Sequence, residues 1–233
     1  MSATREQILR RIRSALGRAT PAGAEAAPLA ERIAEHRANI VPGRGQGTPD
    51  AQMALFVEMV RGVNGTVAEV ASLDDVPEAI AGFLAGENLP SALNVAPDPL
   101  LDAVPWHKRP LLTVTRAKAD GGTEVGVTSA FAGVAETGTL MTLSGAAHPT
   151  TLNFLPDSHI VVLPRDRVVG SYEDGWARLR AQAGADGFMP RTVNFITGPS
   201  RTGDIEQKIQ LGAHGPRRLH VILVDRPAAD RGL

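Results

Sequence analysis

The chain contains no cysteine. It therefore cannot hold an iron–sulfur cluster through thiolates, form a disulfide or use a thiol nucleophile. Aromatic residues are scarce, with two Trp, one Tyr and six Phe in 233 residues, too few for the stacking platforms that grip single-stranded nucleic acid. Neither sign of charge dominates. Lys and Arg number 24 against 25 Asp and Glu, a net charge of −1, so no global field draws the protein to nucleic acid or an anionic membrane, and any anion site must be local. Long apolar runs are missing too: strings such as Ile160–Leu163 and Val221–Val224 fall far short of the ~20 residues a membrane helix needs. The start, MSATREQILRRIRSALGR, alternates charge with apolar residues where a secretory signal would be continuously apolar. We expect a soluble, cytoplasmic protein.

What remains is ordinary globular composition, 43% hydrophobic and 21% charged, with ample length for a core. Thr4 and Gln7 resemble a capping box, and Ile8, Leu9, Ile12, Ala15 and Leu16 then recur at helical spacing up to Gly17. The arginines on the other side make this either an arm that docks on a partner or a second copy, or a solvated helix on its own domain. ATPAGAEAAP (19–28) and PGRGQGTP (42–49) read as flexible connections around a second short helix, Leu29 to Ala38. Residues 1–47 thus read as a helical arm and linker ahead of a main domain over 48–233.

From Thr48 the pattern is regular. Thr48 as N-cap, Pro49 at the first helical position and Met53, Phe56, Val57 and Val60 on one face predict a helix ended by Gly62 and Gly65. Strands at 66–70, 92–96 and 111–115, with a helix over about 75–85, imply crossover connections and a mostly parallel sheet flanked by helices. Further strands are predicted at 124–128, 138–143, 159–163, 193–197 and 219–224, with a helix over 171–182 carrying Trp176 and Leu179 inward. Both halves are expected to feed one sheet.

Three stretches carry chemistry. GPSRTGDIE (198–206) follows the apolar strand VNFIT. A segment opening a helix at Thr202 or Gly203 would place an anion at a helix N-terminus beyond a strand's carboxyl end. Gly198 would make the turn, Ser200 and Thr202 would donate hydroxyls, Arg201 would offer a planar fork, and Asp204 and Glu206 would orient Arg201 or cap the helix. The same residues also suit a plain capped bend with an exposed Arg201–Asp204 pair. In GVAETGTL (133–140), Glu136 stands among small residues and should be at least partly buried. There it can be a general base or nucleophile, or simply accept backbone N–H groups. In AAHPTTLNFLPDSHIVVL, His148 and His159 are eleven apart without a third ligand, a poor metal pattern; His148 and His214 remain possible acid–base or hydrogen-bonding groups. No GxSxG, HExxH or phosphate-binding P-loop is present.

Taken in order, GVTSAFAGVAETGTL, HPTTLNFLPDSHIVVLP and GPSRTGDIEQKIQLGAHGPRRLHVILVD, with REQILRRIRSALG at the start, resemble the C subunit of the bacterial lactate-utilisation system, the LutC/YkgG family built on the LUD domain. The resemblance spans roughly residues 50–225. It implies an α/β fold of the ribose-phosphate-isomerase and CoA-transferase-like type, related to folate cyclo-ligase. It also implies a non-redox role in oxidising L-lactate to pyruvate beside iron–sulfur partner subunits that hold the cofactors, with none in this chain. Carried over by position, the pocket is Glu136 as the catalytic candidate with Thr137, Gly138, Thr139, Gly198, Ser200, Arg201, Thr202, Asp204 and His214 binding a small carboxylate or phosphate. The alternative is an independent CoA-transferase or isomerase-like enzyme with Glu136 as nucleophile or base. A homo-oligomer formed through the N-terminal arm is a further possibility.

Overall fold

The computed structural model describes residues 3–17, 26–116, 119–183, 189–205 and 208–225, with the backbone alone at 3, 204, 205 and 208. By its internal contacts the chain forms two units, 1–40 and 41–233. In the first, α1 (Ala3–Ala15) and α2 (Ala27–Glu35) are the predicted helices. Their apolar side chains Ile8, Ile12, Leu16, Leu29 and Ile33 are exposed. No helix among the described residues is long and apolar enough to cross a membrane.

The second unit opens on α3 (Pro49–Gly62), where Thr48 Oγ1 accepts from Ala51 N at 3.3 Å and Pro49 occupies the first turn, as the sequence predicts. There follow β1 (Thr66–Val70), α4 (Val76–Gly86), β2 (Ala92–Val95), α5 (Pro99–Asp102), β3 (Thr113–Thr115) and β4 (Val125–Ser129). Next come β5 (Ala132–Val134), β6 (Thr139–Leu143), α6 (Thr151–Phe154), β7 (Ser158–Pro164), β8 (Val168–Val169), α7 (Tyr172–Ala183), β9 (Val193–Ile196), β10 (Arg201–Ile205), β11 (Lys208–Leu211) and β12 (Arg218–Val224). Six strands form one sheet in the order β1-β12-β7-β4-β2-β3, every pair parallel.

A central parallel strand is covered on both faces, which is why β7 and β12 are apolar without alternation. Their residues divide by parity. Ile160, Val162, Ile222 and Val224 enter the core beneath α4, with Ile80 and Leu84. Val161, Leu163, Val221 and Leu223 enter the opposite core, with Phe56, Val57 and Val60 of α3.

Not all strands join that sheet, contrary to the sequence reading. β8-β5-β6-β9 make a second, four-stranded sheet, because β5 turns back antiparallel on β6 through the Thr137–Gly138 turn. Leu140 and Ala135 of this segment pack into the α3 core, while Ala132 and Met141 meet Leu179 of α7 on the other side. The linker reading also needs correction at its end. Gly45 is buried against Gly170: a Cβ on Gly45 would lie 2.5 Å from Gly170 O, and Gln52 Nε2 donates to Gly45 O at 2.9 Å.

Candidate functional site

The third motif does not open a helix. After Gly198 and Pro199 the chain enters β10, paired antiparallel with β11 through Arg201↔Leu211 and Thr202↔Gln210. The extended path is imposed by backbone bonds at its base: Ser200 N donates to Pro216 O at 2.8 Å and Gly212 N to Ser200 O at 2.9 Å. The predicted helix N-terminus for an anion is therefore absent. Arg201 is exposed, Thr202 is buried, the Asp204 side chain lies outside those described, and Glu206 is not among the described residues.

What this turn does form is one wall of a pocket of about 190 Å³. Gly198, Pro199, Ser200, His214 and Gly215 supply that wall, Phe195 and Ile196 of β9 a second, and Asn153, Phe154 and His159 from the second motif the rest, with Leu219 of β12. Among the described residues, neither Arg201 nor any other arginine or lysine lines it. The pocket joins the last residues of β9 to the first residues of β7 and β12, so it lies at the amino edge of the large sheet rather than its carboxyl edge. Ser200 and His214 are locked together, His214 N donating to Ser200 Oγ at 3.2 Å. Gly198 adopts φ +74°, and a Cβ there would lie 2.7 Å from Val63 O, so only glycine lets the turn close on the end of α3.

His159 is the polar group that sequence reasoning undervalued. It is 1% exposed; its Nε2 shares a hydrogen with Thr128 Oγ1 at 2.8 Å, while Nδ1 is buried with no partner among the described residues. Burial pushes its pKa from 6.5 down to about 3, so it is neutral in the fold. Its free nitrogen is a donor or an acceptor according to which partner gives the Thr128 hydrogen. The apolar neighbours Ile160 to Leu163 were its visible signal, since a histidine opening a wholly buried strand is buried as well.

Glu136 is buried, 4% exposed, as expected, but it does not line the pocket. Its Oε1 accepts from Tyr172 N at 3.0 Å, at the start of α7, and Oε2 has no partner among the described residues. Its own N–H goes to Gly170 O at 3.1 Å. The TGT turn beside it holds a hydroxyl cluster: Thr137 Oγ1 donates to Tyr172 Oη at 2.9 Å, Thr139 Oγ1 lies 2.9 Å from the same oxygen, and Thr139 Oγ1 meets Thr197 Oγ1 at 2.6 Å. Through Thr197, the residue before Gly198, the first and third motifs adjoin. Gly138 has φ +64° with its Cα against the Met59–Val60 backbone, a Cβ there standing 2.5 Å from Val60 N. The first motif thus braces the pocket wall from behind, and the second and third line the cavity. The described residues include no cluster of three or more His, Asp or Glu able to hold a metal.

The LUD domain model matches residues 53–224. A lactate utilization protein C from Geobacillus kaustophilus is 32% identical over 114 residues, 48% of either chain. One from Exiguobacterium is 35% identical over 102 residues, 43% of this chain and 44% of its own. The chain spans about half the length of the curated relatives it matches. In structure it is similar to a crystallised DUF162 family protein from Deinococcus radiodurans, with a TM-score of 0.57 and 22% identity over 76% of this chain and 99% of that one, a likeness of fold.

Proposed function

The chain belongs to the LUD domain family, and from that premise we propose that it is a non-redox component of a system oxidising lactate to pyruvate, whose pocket holds a small monocarboxylate. The observation that carries the ligand reading is the character of the cavity. At about 190 Å³ it is below the roughly 300 Å³ at which pockets for drug-sized ligands begin, so it suits a molecule of a few heavy atoms. Phe154, Phe195, Ile196 and Leu219 give it apolar surface. Asn153, His159, Ser200 and His214 are the polar side chains of its lining. Among the described residues a doubly charged phosphate would find no lysine or arginine in the lining to offset its desolvation, whereas a single carboxylate with a short apolar tail can be met by hydrogen bonds. Lactate and pyruvate have that form.

The relatives named for lactate utilisation support the system-level role, and the iron–sulfur subunits would supply the redox centres that a cysteine-free chain cannot ligate. Two measurements test this. Thermal-shift titration should show stabilisation by lactate or pyruvate and none by phosphate at equal ionic strength; stabilisation by phosphate alone would overturn the ligand reading. Co-expression with the iron–sulfur subunits should yield a complex, and clean separation at micromolar concentration would overturn the subunit reading.

A second reading keeps Glu136 as nucleophile or base. The partnerless Oε2 favours it, but Oε1 is committed to Tyr172 N and the residue is absent from the cavity lining. On that reading Glu136→Gln abolishes turnover of an acyl-CoA or sugar phosphate without altering the fold.

A further inference from the structure

The large sheet has a second special place, at its opposite edge. From β2 the chain proceeds to β3 on one side, and from β4 it proceeds to β7 on the other. The strand order therefore reverses between neighbours β2 and β4, and in open parallel sheets the crevice beyond the carboxyl ends at such a reversal is where ligands collect. Three polar side chains from separate segments meet there. Asp98, three residues beyond β2, is 5% exposed, and Ser129, the last residue of β4, is 4% exposed. Ser129 Oγ donates to Asp98 Oδ2, and Leu100 N donates to Asp98 Oδ1 at 2.9 Å. His148, from the loop between β6 and α6, brings its Nδ1 to 3.6 Å from the same Oδ2. It is fixed by a tight turn in which His148 N donates to Gly145 O at 3.1 Å and Gly145 N to His148 O at 3.3 Å. Arg116, just past β3, donates to Ala96 O and brings a guanidinium to the same edge.

The arrangement has a definite polarity. A buried carboxylate, oriented by a serine hydroxyl and a backbone N–H, faces Nδ1 of a half-exposed histidine. The negative charge on that side favours hydrogen on Nδ1 and leaves Nε2 on the other side of the ring. Ser129 gives its hydroxyl hydrogen to Asp98, so the histidine is the group able to exchange a proton with a ligand. Enolisation of a carbonyl compound needs a group of this kind to move the proton, and it consumes no oxidant or reductant.

We propose that Asp98, Ser129 and His148 form a proton-transfer site for a small carbonyl compound bearing hydrogen on the carbon next to the carbonyl, with His148 as the acid–base group and Asp98 and Ser129 as positioning residues. Nε2 takes the proton from that carbon, the C–H electron pair becomes the C=C bond, and the carbonyl π pair moves to oxygen. The imidazolium then returns a proton to the enolate, and no oxidant, reductant or second substrate is consumed.

Exchange of carbon-bound hydrogen for deuterium in D₂O, followed by proton NMR, tests this with the intact chain and two probes, pyruvate and dihydroxyacetone. For at least one probe the protein should accelerate exchange above buffer. His148→Gln should lower the rate about 10²-fold or to background, while His107→Gln, at an exposed histidine elsewhere, should leave it unchanged. Asp98→Asn, which retains an oxygen for Leu100 N, should lower the rate at saturating probe about tenfold while leaving the half-saturating concentration in place. Failure of the wild-type protein to accelerate exchange of either probe, full activity of His148→Gln, or full activity of Asp98→Asn would each overturn the proposal. None of these readouts involves the cavity at the amino edge, so the two sites stand or fall separately.

Discussion

Glu136 Oε1 accepts the backbone N–H of Tyr172 at 3.0 Å, which ties the acid of the first motif to the N-terminus of α7. A carboxylate there satisfies a backbone donor that the helix itself leaves unpaired, and it complements the helix dipole. Glu136→Ala should cost about 1–2 kcal/mol, the usual loss for a removed cap, read as a lower urea midpoint with unchanged slope. Glu136→Gln, which retains the acceptor, should cost less than half of that. Equal stability of all three proteins would exclude the capping role.

The turn at Gly198 should be intolerant of any side chain. A left-handed conformation costs a non-glycine residue roughly 1–2 kcal/mol, and the 2.7 Å approach of a Cβ to Val63 O adds a clash. Gly198→Ala is expected to lower stability by about 2 kcal/mol or more, with loss of ligand stabilisation at the pocket. Gly203→Ala, where a Cβ would meet nothing within 4 Å, should be close to neutral.

Two buried histidines make the fold acid-labile. Burial lowers His159 to about 3, and lowers His220 to about 4 against the opposing pull of Glu87. Both are neutral in the fold but take up protons near 6.5 once unfolded, so their contribution is complete above that value and is lost as pH falls from 6.5 toward the folded values. At about 1.4 kcal/mol per pH unit for each, unfolding free energy should fall by up to about 3 kcal/mol per unit between pH 6 and 4. Urea midpoints measured across that range check this; a His220→Asn protein should show a shallower dependence, and an unchanged one would refute the assignment.

Removing residues 1–40 should leave the remaining unit folded with its melting temperature essentially unchanged, since 41–233 has its own cores on both faces of the large sheet. If the exposed apolar faces of α1 and α2 serve assembly, the same truncation should weaken association with the iron–sulfur subunits or with a second copy, as read by analytical ultracentrifugation.

The fold was legible where burial is one-sided in cause. β7 and β12 could be read from unbroken apolar runs, and α3 from its cap, its proline and its apolar stripe. β5 and β8, three and two residues long, leave no periodicity to detect, so the second sheet was invisible. The hairpin of β10 and β11 was hidden because GPSRTGD begins like a helix start, and what decides its path is the bonding of Ser200 to Pro216 and Gly212 far along the chain. The pocket is half legible in the sequence: Gly198, Ser200 and His214 stand in a glycine-rich polar motif, while His159, at the head of an apolar run, carries only a poor metal pattern. Asp98 belongs to no motif, Ser129 and His148 stand in two different ones, and only the strand order brings the three together.

On the proposed function, the cavity between β9 and the starts of β7 and β12 binds a small monocarboxylate. Isothermal titration of lactate and pyruvate into the wild-type protein and into Gly215→Val tests it most directly. A Cβ at Gly215 would stand 3.4 Å from Ser200 Cβ, ordinary contact, so the position admits a side chain, and the melting temperature shows whether valine's further methyls are accommodated. Saturable one-site binding to the wild type that disappears in Gly215→Val, with melting temperature retained, is the predicted result. Absence of binding by the wild type, or equal binding by both proteins, would contradict it.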